Sequence, residues 1–383
     1  MSGSLLRWAC AATVASMLAA PGPAAAAPAP SPGPLPAAGS KSVPTLLTDL
    51  QRLYREAEKA TETYNATAEK LKKRRKTAGD LTRKLAVARS SLHDSRGAAG
   101  RLAREQYQGS SNISPYLRLL LARDPQHALD QGHVIRRVAQ ERMATVDRLV
   151  GGEKRADGLA AQARKALDEQ TRLSERQKKD RDAVRTRLKN VEKLLASLSS
   201  DQLAELTRLE DTGMAKAQKT FMASGALSSK RTPSRAGDTA LAYAVKQIGK
   251  PYVWGAEGPA AFDCSGLTSQ AWEHAGRDIP RTSQEQWARL PRVPLKELRP
   301  GDLVVYFPEA THVAMYLGDG MVVQAPRPGA KVKVSPIAAN PLLGAVRPDQ
   351  GATSMKDYTP PQLPEGATGG SDTGYGAAGA PTG

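Results

Sequence analysis

The stretch Ala261-Phe-Asp-Cys-Ser-Gly-Leu-Thr-Ser-Gln-Ala-Trp272 places a cysteine at the beginning of a predicted helix. Apolar residues follow at helical spacing, and Asp263 stands where a helix N-cap is expected. Unpaired backbone N–H groups and the positive end of the helix dipole favour thiolate over thiol at such a position. We therefore interpret Cys264 as a nucleophile. The alternative is a buried cysteine that packs as a small apolar residue.

The N-terminus predicts export and the removal of the only other cysteine. Arg7 precedes the apolar run Trp8–Ala20, and an Ala-rich segment with A-x-A sites follows, with cleavage expected near Ala27. The run is shorter than the roughly 20 residues of a membrane-spanning helix. Cys10 lies inside the run, so the secreted or wall-associated chain would keep a single cysteine. An unpaired cysteine in an oxidising compartment suggests a reactive thiol.

The remainder divides by composition. We predict a Pro/Ala-rich linker (28–44), a helical coiled-coil domain (45–222), a second linker (223–237), a catalytic domain that mixes helix and strand (238–350) and a disordered Gly/Pro/Ala tail (351–383).

Alternating spacings of four and three predict a coiled coil in the helical domain. The seam of its first run begins with Leu46, Leu50, Leu53, Ala57, Ala60, Tyr64, Thr67 and Leu71 and continues in the same register from Ala78 to Leu102. A turn and a short helix, 116–122, separate it from a second run, expected from about Asp130 to Lys219, whose seam is looser. We predict an antiparallel hairpin, and a parallel dimer of the first helix is the alternative.

The basic charge is confined to the helical part. Residues 41–235 contain 41 Lys and Arg against 24 Asp and Glu, whereas residues 236–383 contain 13 against 14. Export argues against nucleic acid as the partner. Anionic wall polymers or a lipid surface fit a basic exported protein, although a solvated charged helix surface explains the same composition.

A cysteine nucleophile needs a base, and His312 is the histidine best placed to provide it. His274 lies ten residues after Cys264 on the predicted helix, about 15 Å away. The others lie in the helical domain: His93, His127 and His133. His312 begins a predicted strand, and a Gly-Asp-Gly turn returns the chain so that Gln324 lies near the imidazole. Cys264, His312 and Gln324 form a plausible triad, with unrelated core residues as the alternative. One cysteine and scattered histidines do not suggest a metal site, and we expect no cofactor.

Six motifs follow one another in the C-terminal domain: Gln-Ile-Gly-Lys-Pro-Tyr-Val-Trp-Gly (247–255), Phe-Asp-Cys-Ser-Gly-Leu (262–267), Arg-Thr-Ser-Gln (281–284), Pro-Gly-Asp-Leu-Val (300–304), His-Val-Ala-Met-Tyr-Leu-Gly-Asp-Gly (312–320) and Gln-Ala-Pro-Arg-Pro-Gly (324–329). With these motifs in this order, the domain resembles the NlpC/P60 family of papain-like cysteine peptidases, which cut bacterial cell-wall peptides.

The resemblance implies an α+β papain-like domain, with helices packed on an antiparallel sheet, after the coiled-coil hairpin. It implies Cys264 as nucleophile, His312 as base and Gln324 as third member, where histidine is more common. It also implies substrate subsites at Tyr252, Asp263 and Ser283, which hold L-alanine and the D-glutamyl carboxyl. Each subsite residue has a structural alternative: a core aromatic, the cap of the Cys264 helix and the cap of the next helix, respectively.

The helical domain resembles the helical regions of division-associated wall hydrolases, which implies restraint of the catalytic domain until a membrane partner releases it. Together these features predict a secreted peptidoglycan hydrolase, a D,L-endopeptidase at γ-D-glutamyl–diamino acid bonds, regulated or localised by the coiled coil. One alternative is a thiol amidase or acyltransferase on another wall amide, which would not depend on a free stem-peptide N-terminus. Another is a non-catalytic wall-binding scaffold, which would not need Cys264, His312 and Gln324.

Overall fold

Three helices form the N-terminal part of the described chain. The computed structural model describes residues 41–109, Leu117, 124–227 and 231–370. Helix α1 is Val43–Gly109, α2 is Pro125–Ala196 and α3 is Ser200–Ala223. With 67 and 72 residues, α1 and α2 are each about 100 Å long at 1.5 Å per residue. The predicted signal (1–27) and, apart from Leu117, the predicted short helix at 116–122 lie outside the described residues.

Helices α1 and α2 pack as an antiparallel hairpin, as predicted. Near the start of α1, Leu50 and Tyr54 pack against Val191 close to the end of α2. Farther along α1, Ala88 and Leu92 pack against Ala156. Ion pairs between the two helices have the same antiparallel order, with Arg74 bound to Glu169 at 3.0 Å and Arg96 bound to Glu153 at 3.0 Å. The apolar seam supplies most of the stabilisation, because exposed ion pairs contribute little.

The second helical run differs from the prediction at both ends. Helix α2 begins at Pro125, five residues before the expected start, because the Asp124 carboxylate caps it by accepting from the His127 N–H (2.7 Å). A break follows Ala196, where Ser199 starts α3 in a reciprocal capping box with Gln202. A Ser directly before a helical run, followed three residues later by Gln at N3, is a start signal within an otherwise continuous pattern.

The C-terminal part, as described, contains three α-helices and one six-stranded antiparallel sheet. The helices are α4 (Arg235–Val245), α5 (Cys264–His274) and α6 (Ser283–Arg289). The strands are β1 (Arg292–Val293), β2 (Leu303–Tyr306), β3 (His312–Gly318), β4 (Met321–Gln324), β5 (Lys333–Pro336) and β6 (Leu342–Val346). Their spatial order is β1-β6-β2-β3-β4-β5. The predicted α+β architecture is confirmed.

Strand alternation gives the sheet two apolar faces. One face, which includes Val313 and Met315, packs against Leu267 and Trp272 of α5. The opposite face comprises Val304, Tyr306, Ala314, Tyr316, Val322 and Ala345, and Phe221 of α3 packs against it. The helical hairpin and the sheet therefore share a core through α3. No helix among the described residues is long and apolar enough to cross a bilayer.

The predicted disorder of the tail is wrong for residues 351–370. The Met355 N–H donates to the Pro233 carbonyl (2.8 Å), and the Val334 N–H on edge strand β5 donates to the Ala367 carbonyl (2.8 Å). Ala367 is buried. A Gly/Pro-rich composition indicates low burial of side chains, but here the backbone itself pairs with an open strand edge. Residues 371–383 lie outside the described part.

Gly266 in the first turn of α5 is required by close packing, which gives a testable prediction. A Cβ there would overlap the Ala256 carbonyl oxygen and crowd the Asp263 carboxylate. We expect Gly266→Ala to lower the free energy of unfolding by about 3 kcal/mol. The matched control is Gly158→Ala in α2, where nothing lies within 4 Å and alanine should be neutral or stabilising. Denaturant unfolding followed by tryptophan fluorescence would test this, and equal stabilities of the two variants would contradict it.

Candidate active site

Cys264 is the first residue of α5 and is held there by a cap. Asp263 has extended backbone angles, and its Oδ1 accepts the Gly266 N–H at 2.6 Å. The sequence predicted this cap. Cys264 is 3% exposed, so the thiol is buried.

The Asp263 carboxylate also makes a buried ion pair that the sequence analysis did not predict. Arg281 binds it with both terminal nitrogens, Nη1 to Oδ1 at 3.0 Å and Nη2 to Oδ2 at 2.8 Å. Arg281 further donates to Glu257 (2.7 Å) and to the Ser265 hydroxyl (2.9 Å). Its only sequence signal was its place in the Arg-Thr-Ser-Gln motif. This fork fixes the orientation of the carboxylate beside the thiol.

His312 and Gln324 meet across the β3–β4 hairpin. Asp319 and Gly320 both have positive φ, 49° and 73°, as a tight hairpin turn requires. Gln324 Oε1 lies 2.7 Å from His312 Nε2, and both residues are 1% exposed. Because an amide oxygen only accepts, Nε2 carries the proton. Nδ1 is then the basic nitrogen of the neutral imidazole.

The sheet places Cys264 beside the strand that carries His312. The backbone N–H of Val313 donates a hydrogen bond to the Cys264 sulfur, which lowers the pKa of the thiol. Other effects are stronger: burial, and the nearby carboxylates of Glu62, Asp263 and Glu58, raise the pKa of Cys264 well above its ordinary value. The sequence analysis expected the helix N-terminus to favour the thiolate, but here burial and the neighbouring negative charges favour the protonated thiol.

Tyr252 and Ser283 also lie at this site. Tyr252 is 6% exposed. Burial raises the pKa of its phenol most, and the nearby Cys264 and Asp263 raise it further. Tyr252 therefore lies close to both of these residues. The Ser283 hydroxyl donates to the Ala310 carbonyl at 2.7 Å. The cap of α6 is Thr282, whose hydroxyl accepts the Glu285 N–H, so the alternative structural role of Ser283 belongs to its neighbour.

Helix α1 inserts a glutamate into the site. Glu62 Oε2 accepts the Ser283 N–H at 2.9 Å, and Oε1 accepts the Ser265 hydroxyl at 2.9 Å. The Cys264 thiol donates to the same Oε1 over 3.9 Å. Burial, then the negative charge of Asp263, raises the pKa of Glu62. The carboxylate therefore lies directly against the predicted nucleophile.

Two further α1 residues contact the predicted site residues. Asn65 Nδ2 donates to Asp263 Oδ2 at 3.0 Å. Glu58 Oε1 lies 3.9 Å from His312 Nδ1, and burial raises the pKa of Glu58 to about 8. Thus Cys264, His312 and Asp263 each face a side chain of α1.

Sequence reasoning missed these three α1 residues because they lie outside the predicted seam. Positions between seam residues of a coiled coil usually carry solvated polar side chains, so two glutamates and an asparagine there are ordinary. Their separation by four and then three residues places them on one face of the helix. That spacing was the available signal, and many solvated helix faces share it.

The C-terminal part of the chain is similar to known proteins of one family. Residues 249–344 match the NlpC/P60 family. A probable endopeptidase of Corynebacterium glutamicum is 46% identical over 101 residues, which cover 26% of this chain and 48% of that protein. A probable endopeptidase of Mycobacterium tuberculosis is 38% identical over 105 residues, 27% of each chain. The chain thus spans half or less of these relatives.

Solved structures of NlpC/P60 proteins also resemble part of this chain. The NlpC/P60 domain of the peptidoglycan hydrolase SagA is 36% identical, covers 29% of this chain and 97% of its own, and has a TM-score of 0.28. RipD of Mycobacterium tuberculosis, described as a non-catalytic NlpC/P60 protein adapted to peptidoglycan binding, is 32% identical. Its match covers 30% of this chain and 98% of its own, with a TM-score of 0.28.

Proposed function

Because the C-terminal domain of this chain belongs to the NlpC/P60 family, we propose that the protein is a cysteine peptidase that hydrolyses peptidoglycan stem peptides. The observation that carries this proposal is the placement of Cys264 at a helix N-terminus beside the strand that begins with His312. The 2.7 Å contact with Gln324 fixes the imidazole so that its basic nitrogen is Nδ1. Relatives named probable endopeptidases agree with this activity.

The mechanism uses the thiol and the imidazole in turn. His312 Nδ1 takes the proton of Cys264, and the thiolate attacks the carbonyl carbon of the scissile amide. The tetrahedral adduct collapses to a thioester as the leaving amine takes the proton from His312. His312 then deprotonates a water molecule, which attacks the thioester and releases the carboxylic acid and the thiol. Gln324 is neutral, so it orients the imidazole but stabilises the imidazolium less than a carboxylate would.

We further propose that the bond cleaved joins γ-D-glutamyl to a diamino acid. Tyr252 and Asp263 lie near Cys264, and Ser283 binds the Glu62 carboxylate beside it. The family resemblance assigns the L-alanine and D-glutamyl subsites to these three residues, which supports this proposal. Incubating the full-length protein with purified muropeptides and with free stem peptides, and identifying the products by mass spectrometry, tests both steps. Products that end in D-glutamate support the bond assignment. Cleavage of another stem-peptide bond would overturn that assignment alone. No cleavage of any stem peptide, either by the wild type or by a variant in which Glu58, Glu62 and Asn65 are replaced by alanine, would overturn the peptidase.

Two alternatives make different predictions. A thiol amidase or acyltransferase would act on wall amides whether or not the stem peptide has a free N-terminus. Comparing free stem peptides with muropeptides, in which an amide to muramic acid already blocks the L-alanine amine, separates it from an endopeptidase that needs this amine. A wall-binding scaffold would bind peptidoglycan equally well after Cys264→Ala and would release no fragment. The pairing of His312 with Gln324 beside Cys264 favours catalysis over the scaffold.

The setting of this activity is also a proposal. We place the protein outside the membrane or at the wall, on the strength of the predicted signal. The basic helical hairpin would attract anionic wall polymers, and it regulates or localises the peptidase. A membrane-protein activator that binds the hairpin would complete that regulation.

Substitution of His312 should lower kcat/KM more than substitution of Gln324. We expect His312→Ala to lower kcat/KM by about 10³-fold, because it removes the base. Gln324→Ala should cost only about tenfold, since the base remains and loses only its orientation. Gln270→Ala on the outer side of α5, where Gln270 bonds Glu273, serves as the control. Steady-state hydrolysis of a muropeptide measures all three. Equal losses for His312→Ala and Gln324→Ala would show that Gln324 does more than orient.

A further inference from the structure

We infer that the cavity between α1, α3 and the sheet is a binding site for a short peptide that carries a diamino acid, whose side-chain amine binds Glu58. The cavity has a volume of about 930 Å³, within the range of small-molecule sites. It reaches the proposed triad at Gln324 and is not lined by Cys264 or Glu62, so it is distinct from the acyl-side groups. This rests on the proposed function only for the source of the peptide, because the amine-side product of that hydrolysis begins with the diamino acid.

Two helices and the end of the catalytic domain form the walls of the cavity. On α1 the lining residues extend from Leu47 to Glu58, a rise of about 16 Å along the helix. On α3 they extend from Leu209 to Ser224. The catalytic domain contributes Phe307 after β2, the loop after β4 and the connection from β5 to β6. A peptide of three extended residues, about 10 Å long, can lie along these walls.

Glu58 supplies an acceptor on the buried side of the cavity. It is 9% exposed. Its Oε1 faces His312, whereas its Oε2 has no hydrogen-bond partner among the described residues. Burial raises the pKa of Glu58 to about 8, and the charges of Arg327 and Arg55 oppose this shift without cancelling it. A buried carboxylate oxygen without a donor costs free energy, and a ligand ammonium would supply both a donor and a positive charge. Glu58 therefore favours a ligand with a cationic amine.

The remaining lining residues suit an aliphatic chain that ends in an acid. Apolar side chains from α3 and the catalytic domain line the cavity, among them Met214, Phe221 and Phe307. Arg55 and Lys216 also line it, and both are exposed. The lining thus has a carboxylate on its buried side, an apolar middle and cations on its exposed side. The complementary ligand has an amine at one end, an aliphatic body and a carboxylate at the other end.

The three walls meet at one cluster of contacts. Arg327, in the loop after β4, lies 3.6 Å from Glu210 of α3, and its guanidinium lies over the ring of Tyr54 of α1 at 4.4 Å. Because Arg327 and Glu210 compensate each other in charge, Glu58 is the acid that can pair with a ligand amine. The site therefore belongs to the assembled chain, since neither the helices nor the NlpC/P60 domain alone supplies all of its walls.

Gly213 gives the cavity part of its width. It lies within α3, where glycine is a poor helix former, and it lines the cavity. A Cβ at this position would have nothing within 4 Å. Packing therefore does not require glycine here, and a larger side chain would occupy space that the peptide needs.

The test measures binding of L-lysyl-D-alanyl-D-alanine to the full-length protein by isothermal titration calorimetry. This tripeptide carries the side-chain amine and the terminal carboxylate, but it has no γ-D-glutamyl bond and is not a substrate of the proposed reaction. The reference peptide has norleucine in place of lysine, which removes the amine and keeps the aliphatic chain. We expect the Kd of the reference peptide to be at least tenfold higher. Equal affinities for the two peptides, or no saturable binding of the lysine peptide, would overturn the inference.

Glu58→Gln removes the charge of the side chain and keeps its shape. We expect this variant to bind the lysine peptide at least tenfold more weakly than the wild type does, and to bind the two peptides within twofold of each other. The matched control is Glu56→Gln on the same helix, where Glu56 pairs with Arg52 at 2.9 Å on the surface. We expect less than a twofold change in this control. An unchanged difference between the two peptides in Glu58→Gln would contradict the assignment of the amine to Glu58.

A second variant fills the cavity without changing an ionisable group. Gly213→Leu should weaken the binding of both peptides at least tenfold, whereas Gly158→Leu in α2, where nothing lies within 4 Å, should leave it unchanged. Circular dichroism checks that the helices of each variant are intact.

The results also separate the site from the proposed function. Full binding by both folded variants, Glu58→Gln and Gly213→Leu, would place the peptide elsewhere and overturn the inference. Binding with the expected pattern, but with no stem-peptide hydrolysis by the wild type or by the triple alanine variant, would support the site and overturn the peptidase. Hydrolysis of stem peptides without binding of the tripeptide would overturn the site alone.

Discussion

The Cys264→Ala variant should lose hydrolysis of stem peptides entirely, a fall on the order of 10⁴-fold or more in kcat/KM. No other thiol is present among the described residues, and removing the nucleophile leaves the thioester pathway without its attacking atom. The fold should tolerate the change. Loss of one buried sulfur leaves a small cavity, so we expect the free energy of unfolding to change by about 1 kcal/mol.

The measurement is mass-spectrometric product detection with the variant and the wild type at equal concentration, together with denaturant unfolding of both. Ser269→Ala is the matched control, because Ser269 is buried on the same helix and bonds only the Gly266 carbonyl. It should retain most of the activity. Residual lysis by Cys264→Ala comparable to the wild type would show that Cys264 is not the nucleophile.

Arg281→Met should cause the largest loss of stability among single substitutions at the site. Arg281 is 9% exposed and its partner Asp263 is 0% exposed, so the substitution leaves a carboxylate buried without its cation. Breaking one side of such a pair costs about 3–5 kcal/mol. The Gly255 and Gly266 N–H groups still donate to Asp263, but they do not neutralise its charge.

Tryptophan fluorescence during denaturant unfolding measures this loss, since three of the four tryptophans lie in residues 236–383. Arg289→Met is the control. Arg289 pairs with Glu285 at 2.8 Å on the surface of α6 with 61% of its side chain exposed, and such pairs contribute less than about 1 kcal/mol. A loss for Arg281→Met no greater than for Arg289→Met would mean that the ion pair does not hold the site together.

The sequence by itself determined the features that depend on neighbours along the chain. Asp263 caps α5 because the chain enters the helix there, so residue type and spacing predict it. The Gly-Asp-Gly turn brings Gln324 to His312, because pairing across a tight hairpin is set by its length. The antiparallel hairpin follows from two seams joined by a short connection.

Only the tertiary structure decided the state of the site. The bond from Asn65 to Asp263 spans 198 residues and that from Glu62 to Ser283 spans 221, and no local period encodes such a contact. Outer-face glutamates look solvated until a second domain covers them. Covering them also reverses the expected ionisation of Cys264, because the pKa of a thiol depends on desolvation and on charges from distant parts of the chain. Local sequence specified the elements of the candidate site, and long-range packing specified that the site is buried.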